Sequence, residues 1–122
     1  MTGSRTLAQV KAGSIILPPF GGAYILTGGW MRAVGADCAT ATSVNISDTT
    51  ATPVVGVACP VAPLDNGVVY DFDTAGATRT TYGVAFNYGK GVQIVDATKN
   101  TLTGPTTIDF CVRFIKESGV NE

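Results

Sequence analysis

The chain has 122 residues, of which 14% are charged and 45% apolar, with no histidine and a formal net charge of −1. That length suits one domain with a real hydrophobic core, and the near-neutral balance gives no field directed at nucleic acid or a membrane surface. The lack of histidine removes Ser-His-Asp and Cys-His catalysis and histidine-bearing metal sites together.

Typical soluble domains carry about 25% charged residues. A chain this poor in charge is expected to bury part of its apolar surface against other chains. The opening MTGSRTLAQVK lacks the apolar run of a secretory signal, and SIILPPF is far too short to span a bilayer. The expectation is a chain not secreted by the ordinary route and not held in a membrane. Cys38, Cys59 and Cys111 are odd in number and show no CxxC pair, so buried thiols are expected rather than a zinc site or a disulfide framework.

No window carries a sustained helical stripe. Residues 1–13 read as an extended N-terminal arm, in which only Leu7 to Lys11 could hold a helical turn. Residues 14–116 read as one β-domain, with strands expected over 14–17, 23–34, 43–47, 53–58, 68–72, 80–86, 92–96 and 107–115. Pro18-Pro19 ends the first of these, and Gly28-Gly29 predicts a bulge just before Trp30. In TTIDFCVRFIKE the apolar Ile108, Phe110, Val112 and Phe114 alternate with Asp109, Cys111 and Arg113, the clearest core strand in the chain. LDNGVV and ATKNTLTG are turn chemistry. Residues 117–122 read as a polar tail. Eight short strands with regular turn signals predict an all-β, two-sheet sandwich of jelly-roll-like or barrel form.

Candidate chemistry is sparse. Asp71 and Asp73 share a strand face and are the best carboxylate pair for a glycosidase, or, with Asp65 and Asn66, for Ca²⁺. Solvation of an exposed strand end is the stronger reading of these acids. The glycines form no phosphate-binding motif, and Asn45-Ile46-Ser47 is a sequon without a secretory context. Tyr82, Phe86 and Tyr88 are candidates for a sugar- or base-stacking platform. Trp30 with Arg32 fits either a buried indole or an anchor at a protein contact. No catalytic, metal or cofactor residues are assigned.

The segments AYILTGGWMRAVG, TATSVNISDTTATPVVGVA and GVQIVDATKNTLTGPTTIDFCVRFI resemble small structural proteins of tailed bacteriophages over Gly13 to Ile115. The resemblance lies in a W-[LM]-R-A-hG strand, a T-S-V-[DN]-I-x-D-T strand and a closing T-x-I-[DE]-x-x-V-x-[YF] strand, mostly β-patterning with Thr and Ala. It implies a non-enzymatic virion protein of the capsid decoration (cement) type, located on the capsid surface. It further implies a homotrimer bound to the major capsid protein between capsomers, with neither nucleic acid nor membrane as partner. Leu7 and Val10 in the arm, with Trp30 and Arg32, are the expected contact residues. A virion-borne or cell-surface binding module for carbohydrate or host surface, such as a head fibre or tail accessory, is the alternative.

Overall fold

The computed structural model describes residues 1–73, 77–79 and 85–118. Among these, nine strands and one short helix run in the order β1 (Thr2–Thr6), α1 (Leu7–Ala12), β2 (Ser14–Leu17), β3 (Gly22–Val34), β4 (Ser43–Asp48), β5 (Val55–Pro60), β6 (Val69–Asp71), β7 (Thr78–Arg79), β8 (Val92–Asp96) and β9 (Thr107–Ser118). They form two antiparallel sheets, ordered β1-β9-β3-β6 and β2-β8-β4-β5-β7. The chain is therefore an all-β two-sheet sandwich. With the two-residue β7 set aside, each connection except β4 to β5 crosses from one sheet to the other, which is the strand order of a jelly roll.

Alternation builds the core between the sheets. Tyr24, Leu26, Met31, Phe72, Ile108, Phe110 and Val112 come from the four-stranded side, and Val44, Ile46, Val57, Val92 and Ile94 from the five-stranded side; all are buried. Leu64 and Leu102, fully buried in connections, join the same core. The long β3/β9 ladder skips a residue between Leu26 and Gly28, which is the bulge expected from Gly28-Gly29. An extra residue reverses the parity of everything beyond it. Tyr24 and Leu26 face inward before the bulge, Met31 and Ala33 after it, and so Trp30 and Arg32 are carried to the outer face. Gly29 (φ 148°) adopts a backbone that favours glycine, and a Cβ there would overlap the Cys111 carbonyl oxygen.

The N-terminal segment is not an extended arm. Thr2 to Thr6 form an edge strand on β9, from Thr2 opposite Cys111 to Thr6 opposite Thr107. Thr6 then caps α1: its Oγ1 accepts from the Gln9 N–H at 3.2 Å, while Gln9 Oε1 accepts from the Thr6 N–H at 2.9 Å. Helix α1 lies against β8, and Val10 is wholly buried in the core. Arg5 stitches the two sheets along this side, donating from Nε to Ser14 Oγ at 2.9 Å and from Nη2 to the Ile15 carbonyl at 3.0 Å. The physical reason is plain: the apolar Val10 had a core within reach, and β9 had an unpaired edge.

At the other terminus β9 runs past Ile115, with Glu117 and Ser118 paired to Ala23 and Gly22. The polar tail thus begins later than residue 117. The strand expected over 80–86 lies largely outside the described residues; Ala85 forms a single bridge to Ile25.

Because the N-terminal segment is structural, Val10→Ala should lower stability by roughly 2 kcal/mol, two buried carbons plus an incompletely collapsed cavity. Removal of residues 1–12 should lower the thermal midpoint much further. Denaturant titration of both variants checks this, and a truncated chain as stable as the full one would contradict it.

Candidate functional site

Two outer sheet faces remain once the core is accounted for. On the four-stranded sheet the register sets Trp30 opposite Cys111, Arg32 opposite Asp109, and Asp71 and Val69 beside Trp30 and Arg32 on β6. Arg32 Nη2 donates to Asp109 Oδ2 at 2.7 Å, and its guanidinium carbon lies 5.8 Å from the Trp30 ring centroid. The Arg32 bond holds the Asp109 carboxyl below its usual range. Arg32 Nε–H is buried and has no acceptor among the described residues. Beside this pair Val69 is about half exposed (50%) and Cys111 partly exposed; farther along β9, opposite Ile25, Ile115 is also about half exposed (55%).

The five-stranded sheet presents a different surface. Its two central strands carry the similar segments Asn45-Ile-Ser-Asp-Thr-Thr50 and Gln93-Ile-Val-Asp-Ala-Thr98. They pair antiparallel about Ile46 opposite Ile94, with Asn45 opposite Val95 and Ser47 opposite Gln93. The arrangement has a local two-fold character, and Asp48 and Asp96 terminate the two strands at opposite ends.

Both aspartates are fully buried, and each organises the loop that follows it. Asp48 Oδ1 accepts from the Thr50 N–H (3.2 Å), Thr50 Oγ1 (2.7 Å) and the Val54 N–H (3.2 Å). Its Oδ2 accepts from the Asn87 backbone N–H (3.1 Å) and Nδ2 (2.6 Å). Asp96 Oδ1 accepts from the Thr98 N–H at 3.0 Å, and Oδ2 from the Thr101 and Leu102 N–H groups at 2.8 and 2.7 Å. The Thr98 and Thr101 hydroxyls add further bonds to the same carboxylate. Burial raises the pKa of each carboxyl, but the donors outweigh it and hold both below the usual range.

Between these loops lies an open cavity of about 440 Å³ lined by Asn45, Ser47, Thr50, Ala51, Pro53, Val55, Gln93, Val95, Asp96, Ala97, Thr98 and Lys99. Gln93 Nε2 reaches the Asp48 carbonyl at 3.1 Å, which fixes the amide across the floor. The Asn100 N–H donates to the Lys11 carbonyl at 3.0 Å and ties the second loop to α1.

The expected contact residues divide. Trp30 and Arg32 are brought together on the four-stranded face, whereas Leu7 is half-buried on α1 and Val10 is enclosed. Asp71 accepts from the Asp73 N–H at 2.8 Å, a local turn at the strand end. Asn66 is engaged with Gly35 and Asp37, and no cluster of metal-ligating side chains occurs among the described residues. Tyr82 lies outside the described residues; Tyr88 is exposed and Phe86 buried. Cys38 and Cys59 are free thiols whose burial pushes them up to about 11 and 12, so they stay protonated. Sequence reasoning missed Asp48 and Asp96; the repeated amide-Ile-x-Asp-x-Thr was the available signal.

No protein-family model, curated protein or solved structure matches this chain.

Because both carboxyls titrate lower in the folded chain than in the unfolded one, the unfolded state binds more protons in acid. Stability should be fully present above the ordinary carboxylate value of about 4 and fall as pH drops below it. Asp96→Asn should cost about 3 kcal/mol or more, because an amide turns an N–H toward donors that need an acceptor. It should also flatten the acid limb. Denaturant titrations from pH 6 to pH 2 (roughly the range spanned by such shifts) check both; an unchanged limb in the variant would contradict the assignment.

Proposed function

We propose that this chain is a non-enzymatic virion structural protein that decorates the outer capsid and stabilises the shell between capsomers. The observation that carries the reading is the outer face of the four-stranded sheet. There Trp30, Arg32 and Val69 adjoin, with the exposed Ile115 farther along β9, in an aromatic, cationic and aliphatic combination of the kind found at protein contacts.

Three further points favour it. Charged residues are only 14% of the chain, which suits a surface partly buried in an assembly. The strand order is that of a jelly roll, an architecture that serves in viral capsid domains, though fold alone does not assign function. The strand motifs resemble those of phage structural proteins. The major capsid protein is then the partner, and a homotrimer is the assembly the resemblance implies.

The mechanism is passive. Apolar surface buried across a capsomer boundary contributes about 25 cal/mol per Å², and symmetry multiplies a modest contact by the number of copies. The N-terminal segment takes no part as a tether in this account, since it is built into the fold.

Co-sedimentation with particles lacking the protein tests the proposal. Trp30→Ala should weaken binding about thirtyfold, the effect of losing an anchor worth about 2 kcal/mol, while Asn45→Ala on the opposite sheet should bind normally. Full binding by the Trp30 variant would remove this face from the contact, and failure of the intact chain to join any particle would remove the virion reading.

A further inference from the structure

The cavity on the five-stranded sheet takes no part in the shell contact, yet it is built. Its floor is polar and ordered: Asn45, Ser47 and Gln93 stand on the outer face of adjacent strands, with Val55 and Val95 beside them. Its walls are loops 49–54 and 97–101, each pinned by a fully buried carboxylate. About 440 Å³ falls within the range of small-molecule sites. We infer that this groove binds a small neutral saccharide.

Four alternatives fail on the chemistry of the lining. A metal ion needs free carboxylate oxygens, and both oxygens of Asp96 already accept several donors. An anion needs convergent positive charge, and among the described residues Lys99 is the sole cation in the lining. A purely apolar ligand would cover Asn45 Nδ2 and Gln93 Oε1, the ends of these amides left over once Ser43 Oγ donates to Asn45 and Gln93 Nε2 donates to the Asp48 carbonyl. An extended peptide adding to a sheet needs an open edge, whereas this floor lies on β8, β4 and β5 in the sheet interior.

What remains is a compact ligand carrying both donors and acceptors and no charge. A sugar ring meets that description, with hydroxyls for the amides and hydroxyls of the lining and C–H faces for Val55, Pro53 and Val95. The two loops follow antiparallel strands and therefore close opposite ends of the groove. The five residues of β8 separate them by about 17 Å at ~3.3 Å per residue, room for two sugar rings. The local two-fold sets Asn45 and Gln93 in matching positions, one for each ring.

The test is a titration of the full chain with cellobiose, maltose and chitobiose, followed by amide chemical shifts in NMR, with triglycine and inorganic phosphate as comparators. At least one disaccharide should give saturable shifts at Asn45, Ser47, Gln93 and Thr98 in the millimolar range. Asn45→Ala should weaken it roughly three- to tenfold, the loss of one neutral hydrogen bond. Ala51→Trp, on an exposed wall and outside every carboxylate bond, should abolish binding while leaving the remaining spectrum intact. The inference is overturned if no disaccharide saturates, if the Trp variant binds as well as the parent, or if triglycine or phosphate moves these amides and no sugar does. None of these outcomes depends on whether the chain joins a particle.

Discussion

Two carboxylates without solvent hold this molecule's most organised surface together. Asp48 and Asp96 end the central strands of one sheet on the core-facing side, where an unpaired charge would be prohibitive. Each is stabilised because the chain immediately turns and offers it backbone N–H groups and threonine hydroxyls. The dependence is mutual. The loops have few apolar side chains to anchor them, and the carboxylates draw most of their donors from those loops, with Asn87 supplying two more to Asp48. Antiparallel pairing of β4 with β8 then places one such loop at each end of the same floor.

The two sheet faces divide the surface chemically. On the four-stranded side a bulge in β3 reverses the side-chain parity and turns Trp30 and Arg32 outward beside Val69 and Cys111. That face is suited to a large partner. On the five-stranded side the amides and hydroxyls are recessed between fixed walls, which suits a small one. A shell protein seated by the first face would present the second away from it, because the faces lie on opposite sides of one core. Stabilising a particle and displaying a polar groove are compatible tasks for a single sandwich.

The strands were legible because alternation is a local signal. Ile108, Phe110, Val112 and Phe114 announce β9, and Gly28-Gly29 marks the bulge. Trp30 and Arg32 were legible as a pair, but their outward direction depended on the parity change that the bulge imposes. What sequence alone did not disclose was non-local. Thr6 and Gln9 form a capping box whose spacing is visible, yet the burial of Val10 depends on β8, more than eighty residues away. The resulting segment folds onto the sandwich where an arm was expected. Asp48 and Asp96 carried no role in the sequence, where Asp96 read only as the last residue of the strand over 92–96; it is the pairing of Ile46 with Ile94 that sets the two following loops around one cavity.

The walls of the groove depend on the rigidity that these carboxylates confer, and native-state amide hydrogen exchange near neutral pH measures it residue by residue. The amides of Thr50, Val54, Thr98, Thr101 and Leu102, each bonded to a buried carboxylate, are predicted to exchange as slowly as those of the central β9 strand. Exchange at the rate of open loops would contradict the account, since the walls of the groove would then be held by nothing that persists.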